Sequence, residues 1–302
     1  MKKTGEVSTL STVRFAWWPA LTRGQPARAL RQNDLNRRPT VNNPPFVSTP
    51  ELSVEQRGPV LWLTITREER RNAMSHGVLA GMTQAILAAQ GQRDLRAIVI
   101  TGAGVKAFCA GADLQSAKAF TTDYSEPHGH LAQLLRAARA SYVPLIARVN
   151  GACMAGGMGL MSMCDMAVAA RHAVFGLPEV KVGVFPAQVL SVLQHLIPRR
   201  TLNEMCLTGE PITSAQALEV GLVNYVDDDV DAKLQWLLDR MLDKSPAAIR
   251  RGLYTLKKVE AMAFEESMSF TESQIALFTL TEDAKEGQKA FQEKRKPNWV
   301  GH

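Results

Sequence analysis

Two stretches of small residues, about forty positions apart, constrain this chain more than any other feature. The first is Lys106-Ala-Phe-Cys-Ala-Gly-Ala-Asp-Leu114; the second is Asn150-Gly-Ala-Cys-Met-Ala-Gly-Gly-Met-Gly-Leu160. Each follows an apolar strand and leads into a helix. Loops placed in this way present backbone N–H groups that no ladder or helix consumes, and two such groups can grip one oxygen as it becomes an oxyanion. Glycine and alanine are needed there because a larger side chain holds the backbone away from its ligand. A phosphate cradle is a different pattern. Gly102-Ala-Gly-Val-Lys106 lacks P-loop spacing, and Gly156-Gly-Met-Gly159 is not the dinucleotide-binding triplet of glycines.

The rest of the composition bounds the answer. At 302 residues the chain has room for one large domain or two small ones. With 46% hydrophobic residues it has ample core, yet no apolar run approaches the ~18 residues of a membrane span. The net charge of +6 is uneven. Residues 1–46 hold eight basic side chains (Lys2, Lys3, Arg14, Arg23, Arg28, Arg31, Arg37, Arg38) against Glu6 and Asp34, and the other 256 residues hold 27 of each sign. The folded part is therefore neutral, and no nucleic-acid surface is expected. Cys109, Cys153, Cys164 and Cys206 sit in apolar segments without metal-ligand spacing, so they read as buried reduced thiols and no metal site is expected.

The organisation follows from periodicity. Residues 1–53 read as an N-terminal extension, Arg-rich and poor in acids like a mitochondrial transit peptide, but with Pro19 and Pro26 breaking the helix such a signal needs. The plainer expectation is a disordered tail on a cytoplasmic protein, with the mitochondrial matrix as the alternative. Val60–Thr66, Leu95–Thr101 and Pro144–Val149 are predicted strands, and Ser75 caps a predicted helix reaching about Gln90. A helix is expected over 129–140 and a short one near 158–164. Short strands are expected at 165–169 and 174–176. From Gln188 onward almost everything reads as helix, with caps at Thr213 and Ser245-Pro246. Strand–helix alternation followed by a helical tail implies an α/β domain.

The two loops, followed by Phe175-Gly-Leu-Pro-Glu-Val-Lys-Val-Gly183, resemble the enoyl-CoA hydratase/isomerase (crotonase) family over roughly residues 54–300. The resemblance implies an α/β spiral of ββα units over 54–245 and a C-terminal helical trimerisation subdomain over 246–302. It also implies an acyl-CoA substrate, with CoA part of the substrate and no further cofactor, and a homotrimer or dimer of trimers, with no nucleic-acid or membrane partner. By position in the motifs, Ala112 and Gly156 would supply the N–H donors and Glu179 the catalytic carboxylate. Contacts to CoA would come from Arg71, Ala73, Ala110, Asp113, Leu114 and Gly157, and from Phe291 and Lys294 near the C-terminus, often toward a neighbouring subunit's nucleotide.

One departure matters. Family hydratases usually carry a second glutamate three residues after the oxyanion glycine, and here that position is Gly159. Three outcomes stay open. Glu179 works alone in hydration; a substitute comes from the Thr121–His130 stretch (Asp123, Tyr124, Glu126, His128 or His130); or the reaction is a Δ3-Δ2 isomerisation that needs one carboxylate. A non-catalytic acyl-CoA-binding homologue is the reading from outside enzymology. Gly183-Val-Phe-Pro-Ala-Gln188 and Val189 also replace smaller residues of the common family wording, so acyl specificity does not carry over.

Overall fold

The computed structural model describes residues 46–113 and 125–302. The N-terminal extension, Leu114, Asp123 and Tyr124 lie outside the described residues.

The chain enters as a hairpin, β1 (Leu52–Arg57) against β2 (Val60–Ile65), turning at Gly58 with φ +55. Helix α1 (His76–Gln90) follows, with Ser75 Oγ accepting the Val78 N–H as its N-cap. Three strand pairs then repeat one geometry. Strands β3 (Ala97–Gly102) and β4 (Ala107–Cys109) are followed by α2 (His130–Ala140); β5 (Leu145–Val149) and β6 (Ala152–Met154) by α3 (Gly156–Ser162). Strands β7 (Met166–Ala170) and β8 (Val174–Gly176) are followed by a 3-10 turn over Pro178–Val182 and by α4 (Leu190–Leu193). In each pair the first strand joins one sheet and the second joins another. The large sheet runs β1-β2-β3-β5-β7-β10 and the small one β4-β6-β8-β9. Pairing from β2 to β10 is parallel. The spiral of ββα units is thus present.

The tail is less uniformly helical than the sequence suggests. After α5 (Arg199–Thr208), β9 (Ile212–Thr213) closes the small sheet antiparallel to β8. After α6 (Ser214–Glu219), β10 (Tyr225–Asp227) extends the large sheet beside β7. Both strands are too short to show a period, which is why they read as helix-flanking loops. The capping box at Thr213 and the Ser245 cap form as expected. Helices α7 (Val230–Leu242), α8 (Pro246–Val259), α9 (Phe264–Thr279) and α10 (Glu282–Gln292) complete the chain.

The central strands are apolar on both faces because both faces are covered. Ile98, Ile100, Leu145, Ala147, Ala167 and Ala169 face the main core with α1 to α3. Their alternates Ala97, Val99, Ile146, Val168 and Ala170 pack under Val230, Leu234, Leu237 and Leu238 of α7.

Helix α8 is fixed to this body by a shielded ion pair. Lys257 Nζ lies 2.9 Å from Asp165 Oδ1 and also donates to the carbonyls of Ala138 and Ser141. Asp165 Oδ2 accepts the Leu145 N–H at 2.8 Å. Burial pushes the Asp165 carboxyl up, and Lys257 pulls it back. Removing one partner of such a pair leaves the other charge uncompensated. Lys257→Met is expected to destabilise the fold by about 3 kcal/mol, and the double variant with Asp165→Asn by clearly less, as measured by urea denaturation.

Candidate active site

The first loop is held from beneath by two buried asparagines. Asn72 Nδ2 donates to the carbonyls of Ala103 (2.9 Å) and Ala107 (2.7 Å), and its Oδ1 accepts the Arg67 N–H. Asn150 Nδ2 donates to Gly104 and Ala107, and its Oδ1 accepts the Gly102 N–H. Gly102 has no room for a Cβ, which would run into the Phe108 carbonyl and the Asn72 amide. Asn72 and Arg71 both adopt left-handed φ, +55 and +51, so the turn that presents Asn72 is itself strained.

Beyond Cys109 the chain forms a single parallel bridge with Met74. Met74 N–H donates to the Gly111 carbonyl and Asp113 N–H donates to the Met74 carbonyl. Backbone groups alternate along such a bridge, so the N–H of Ala112, between these two, faces the opposite side. Gly156 is the first residue of α3, where a helix has no internal acceptor for an N–H. Among the described residues, neither the Ala112 nor the Gly156 N–H has an acceptor.

The two donors are neighbours. A Cβ on Gly156 would lie 3.7 Å from the Ala112 nitrogen, and one on Gly111 would lie 3.2 Å from the Gly156 nitrogen. Such closeness requires bare backbone. A Cβ on Gly157 would strike the Cys109 carbonyl, and one on Gly111 would sit 2.8 Å from Ala155 Cβ. Ala155 itself is held at φ +53, ψ −126, a region that L-residues avoid, and its N–H donates to the Gly176 carbonyl at 2.9 Å.

That bond ties the second loop to the strand leading to Glu179, three residues on. Glu179 is half-buried in the 3-10 turn, and its Oε2 is buried with no hydrogen-bond partner among the described residues. Burial pushes its carboxyl above the ordinary value of 4.5. Buried Cys206 of α5 sits close enough that the Glu179 charge helps raise its thiol. A buried oxygen without a donor holds its proton more readily and stands free to exchange it with a ligand.

The space beside Gly159 is occupied. A Cβ there would lie 2.8 Å from Val189 Cγ1, and Val189 is itself buried. No second carboxylate fits without moving Val189. Glu126, His128 and His130 are exposed at the start of α2, and among the described residues none bonds to Glu179. His130 packs on His76, with ring centroids 4.7 Å apart.

The remaining motif residues fall into two groups. Ala110 donates its N–H to the Arg71 carbonyl at 3.1 Å, so these two and Gly157 border the first loop. Ala73 and Asp113 are engaged by Arg67, a residue without any motif signal. Its Nη1 donates to the Ala73 carbonyl (2.6 Å), its Nη2 meets Asp113 Oδ2 (2.6 Å), and its Nε meets Glu51 Oε1 (2.9 Å). Phe291 lies at the far end of the chain, 85% exposed, and Lys294 is exposed at φ +54. Among the described residues, neither side chain has a hydrogen bond or ion pair to the loops. All four cysteines are free thiols. Cys109 is fully buried, with its thiol pushed up to about 12, which leaves no nucleophile at neutral pH.

The chain is similar to known proteins in sequence and fold. A family model described as enoyl-CoA hydratase/isomerase matches residues 55–302. An enoyl-CoA hydratase of Mycobacterium tuberculosis is 36% identical over 261 residues, covering 83% of this chain and 97% of that one. The 2,3-dehydroadipyl-CoA hydratase of Escherichia coli is 34% identical over 259 residues, covering 83% and 99%. The crystal structure of an enoyl-CoA hydratase from Mycobacterium smegmatis superposes with a TM-score of 0.79 at 30% identity, covering 83% of this chain and 99% of that one.

Two outcomes test this geometry. Gly159→Ala is expected to destabilise by about 1–3 kcal/mol through overpacking, and Val189→Ala in the same chain to relieve it, as a thermal-unfolding double-mutant cycle would report. The raised Glu179 carboxyl gives a second. Its contribution to stability is present below pH 4.5, the unfolded value, and is lost as pH rises through the higher folded value. Glu179→Gln is therefore expected to be more stable than the parent at pH 7, with the gain shrinking toward pH 4 in parallel urea titrations.

Proposed function

The chain belongs to the enoyl-CoA hydratase/isomerase family, and from that premise we propose that it hydrates a 2-enoyl-CoA with Glu179 as its single acid–base group. The observation that carries this reading is the unpartnered Oε2 of Glu179 in the turn that follows the two free N–H donors. Glu179 takes a proton from water while the water oxygen bonds to the β-carbon. The electron pair of the C=C bond moves onto the thioester oxygen, giving an enolate. The N–H groups of Ala112 and Gly156 hold that charge more tightly than they hold the neutral carbonyl. Glu179 then returns the proton to the α-carbon, so the sum is addition of one water. No electrons are gained or lost overall, so the reaction calls for no redox cofactor, and CoA enters as part of the substrate.

Arg71, exposed beside the loops, suits a CoA phosphate. Ala110, Gly157, Asp113 and Leu114 would line the path of the thioester arm, and Ala73 that of the adenine. Phe291 and Lys294 would reach the nucleotide of a neighbouring protomer in a homotrimer or dimer of trimers.

Val189 over Gly159 favours one alternative, because isomerisation needs a single carboxylate. In that reaction Glu179 removes the α-proton of a 3-enoyl-CoA and returns it at the γ-carbon through the same enolate. Absorbance of the conjugated enoyl thioester separates the two. Its loss from a 2-enoyl-CoA supports hydration; its appearance from a 3-enoyl-CoA without later loss supports isomerisation. Glu179→Gln is expected to lower kcat about 10³-fold in either case while the affinity for CoA thioesters persists, and a variant with parental turnover would remove Glu179 from the mechanism.

A further inference from the structure

The Ala112 N–H and the Gly111 carbonyl belong to one peptide group, and in a planar trans peptide the two point in opposite directions. Where the carbonyl aims therefore decides where the donor aims. The Gly111 carbonyl accepts the Met74 N–H at 2.8 Å, and one step on, the Asp113 N–H reaches the Met74 carbonyl at 3.1 Å. Strand β4 has ended at Cys109, so an isolated bridge between Met74 and Ala112, outside both sheets, sets the direction of the donor. A bridge this short has little stiffness of its own.

Arg67 closes the bridge from outside. Its Nη1 donates to the carbonyl of Ala73, the residue before Met74, and its Nη2 meets the carboxylate of Asp113, the residue after Ala112, both at 2.6 Å. One rigid guanidinium plane thus spans the two sides of the bridge. Its Nε meets Glu51 Oε1 at 2.9 Å, and Glu51 Oε2 accepts the hydroxyl of Ser75, the cap of α1, at 2.6 Å. The main chain of Arg67 is fixed as well: its N–H donates to Asn72 Oδ1 and its carbonyl accepts the Asn72 N–H. Of the ion pairs among the described residues, Arg67–Asp113 is the most shielded, with the side chains 12% and 13% exposed. Salt and water weaken such a pair far less than one on the surface.

We propose that Arg67 is a positioning residue. Through Asp113 and the Ala73 carbonyl it holds the Gly111–Ala112 peptide so that the Ala112 N–H meets the thioester oxygen beside the Gly156 N–H. It acts through the backbone and not on the substrate. The assignment rests on the proposed function for the identity of that oxygen, and the experiment lets the two fail separately.

Arg67→Gln leaves the Asp113 charge without this partner, so stability falls along with activity. Adding Asp113→Asn removes that charge. The double variant is expected to regain most of the lost stability in urea, yet to keep a kcat about ten- to a hundredfold below the parent, with KM changed by less than about threefold. Arg67→Lys, which lacks the fork, is expected to retain only part of the parental kcat. Lys257→Met, destabilised through α8, is the control and is expected to keep kcat within about threefold of the parent. A double variant whose kcat recovers with its stability overturns the proposal.

A second readout is independent of turnover. A bound saturated acyl-CoA, isotope-labelled at the thioester carbonyl, is expected to show its infrared carbonyl stretch at lower frequency on the parent than in water, and to shift less on Arg67→Lys and on the double variant. A shift that these variants keep in full overturns the proposal and leaves the two donors in place. A parent that shifts the stretch but hydrates no 2-enoyl-CoA fails the hydration reading alone, and the shift in the variants still decides the role of Arg67. A parent without the shift overturns the donor reading and the proposal together. Should the Arg67 variants not fold, Asp113→Asn alone is read in the same way: a smaller shift sustains the proposal and a parental one overturns it.

Discussion

Everything in the candidate site depends on one close approach, that of the Cys109–Ala112 loop to the start of α3. The bare α-carbon of Gly157 allows it, and the bare α-carbon of Gly111 allows Ala155 to come alongside. Two backbone donors end up adjacent although they belong to different turns of the spiral. The surrounding structure keeps them there. Asn72 and Asn150 fasten the loop from below, and Arg67 binds Glu51, Asp113 and the Ala73 carbonyl into one network. The strained backbone of Ala155 persists because the Gly176 carbonyl holds its N–H.

The electrostatics follow from what is left unpaired. Most polar groups in the core are satisfied, as a low-dielectric interior demands. Among the described residues the Ala112 and Gly156 N–H groups, Glu179 Oε2 and the Ser162 hydroxyl of α3 have no partner, and they come from consecutive parts of the same spiral. A folded state that carries such groups is less stable than one without them and is prepared for charge that arrives with a ligand. The buried thiols nearby contribute packing rather than reactivity, since burial alone keeps Cys109 and Cys153 protonated.

What the sequence made legible divides by the length scale of the signal. The strands Val60–Ile65, Ala97–Gly102 and Leu145–Val149 and the caps at Ser75, Thr213 and Ser245 follow from local pattern. Strands β4, β6, β9 and β10 have two or three residues each and exist only because a partner strand is present, so no window of sequence reports them. The two loops that carry the unpartnered Ala112 and Gly156 N–H groups stand out in the sequence by their small residues, since their close approach needs bare backbone at fixed positions. The role of Arg67 was not, because its three partners lie in separate segments of the chain. The departure at Gly159 was visible in one dimension, but its physical reason, the Val189 side chain filling the space, requires the third.

The free N–H groups have a consequence for how such a chain changes over time. They belong to the main chain, so no single replacement other than by proline deletes them; otherwise only a change that spoils the fit of the two loops can. Glu179 and Val189 act through their side chains and can be exchanged one at a time. The pair of backbone donors is therefore buffered against drift, and the side chains around it are exposed to it. A fold divided in this way can be inherited whole while the side chains are rewritten around a fixed pair of backbone donors.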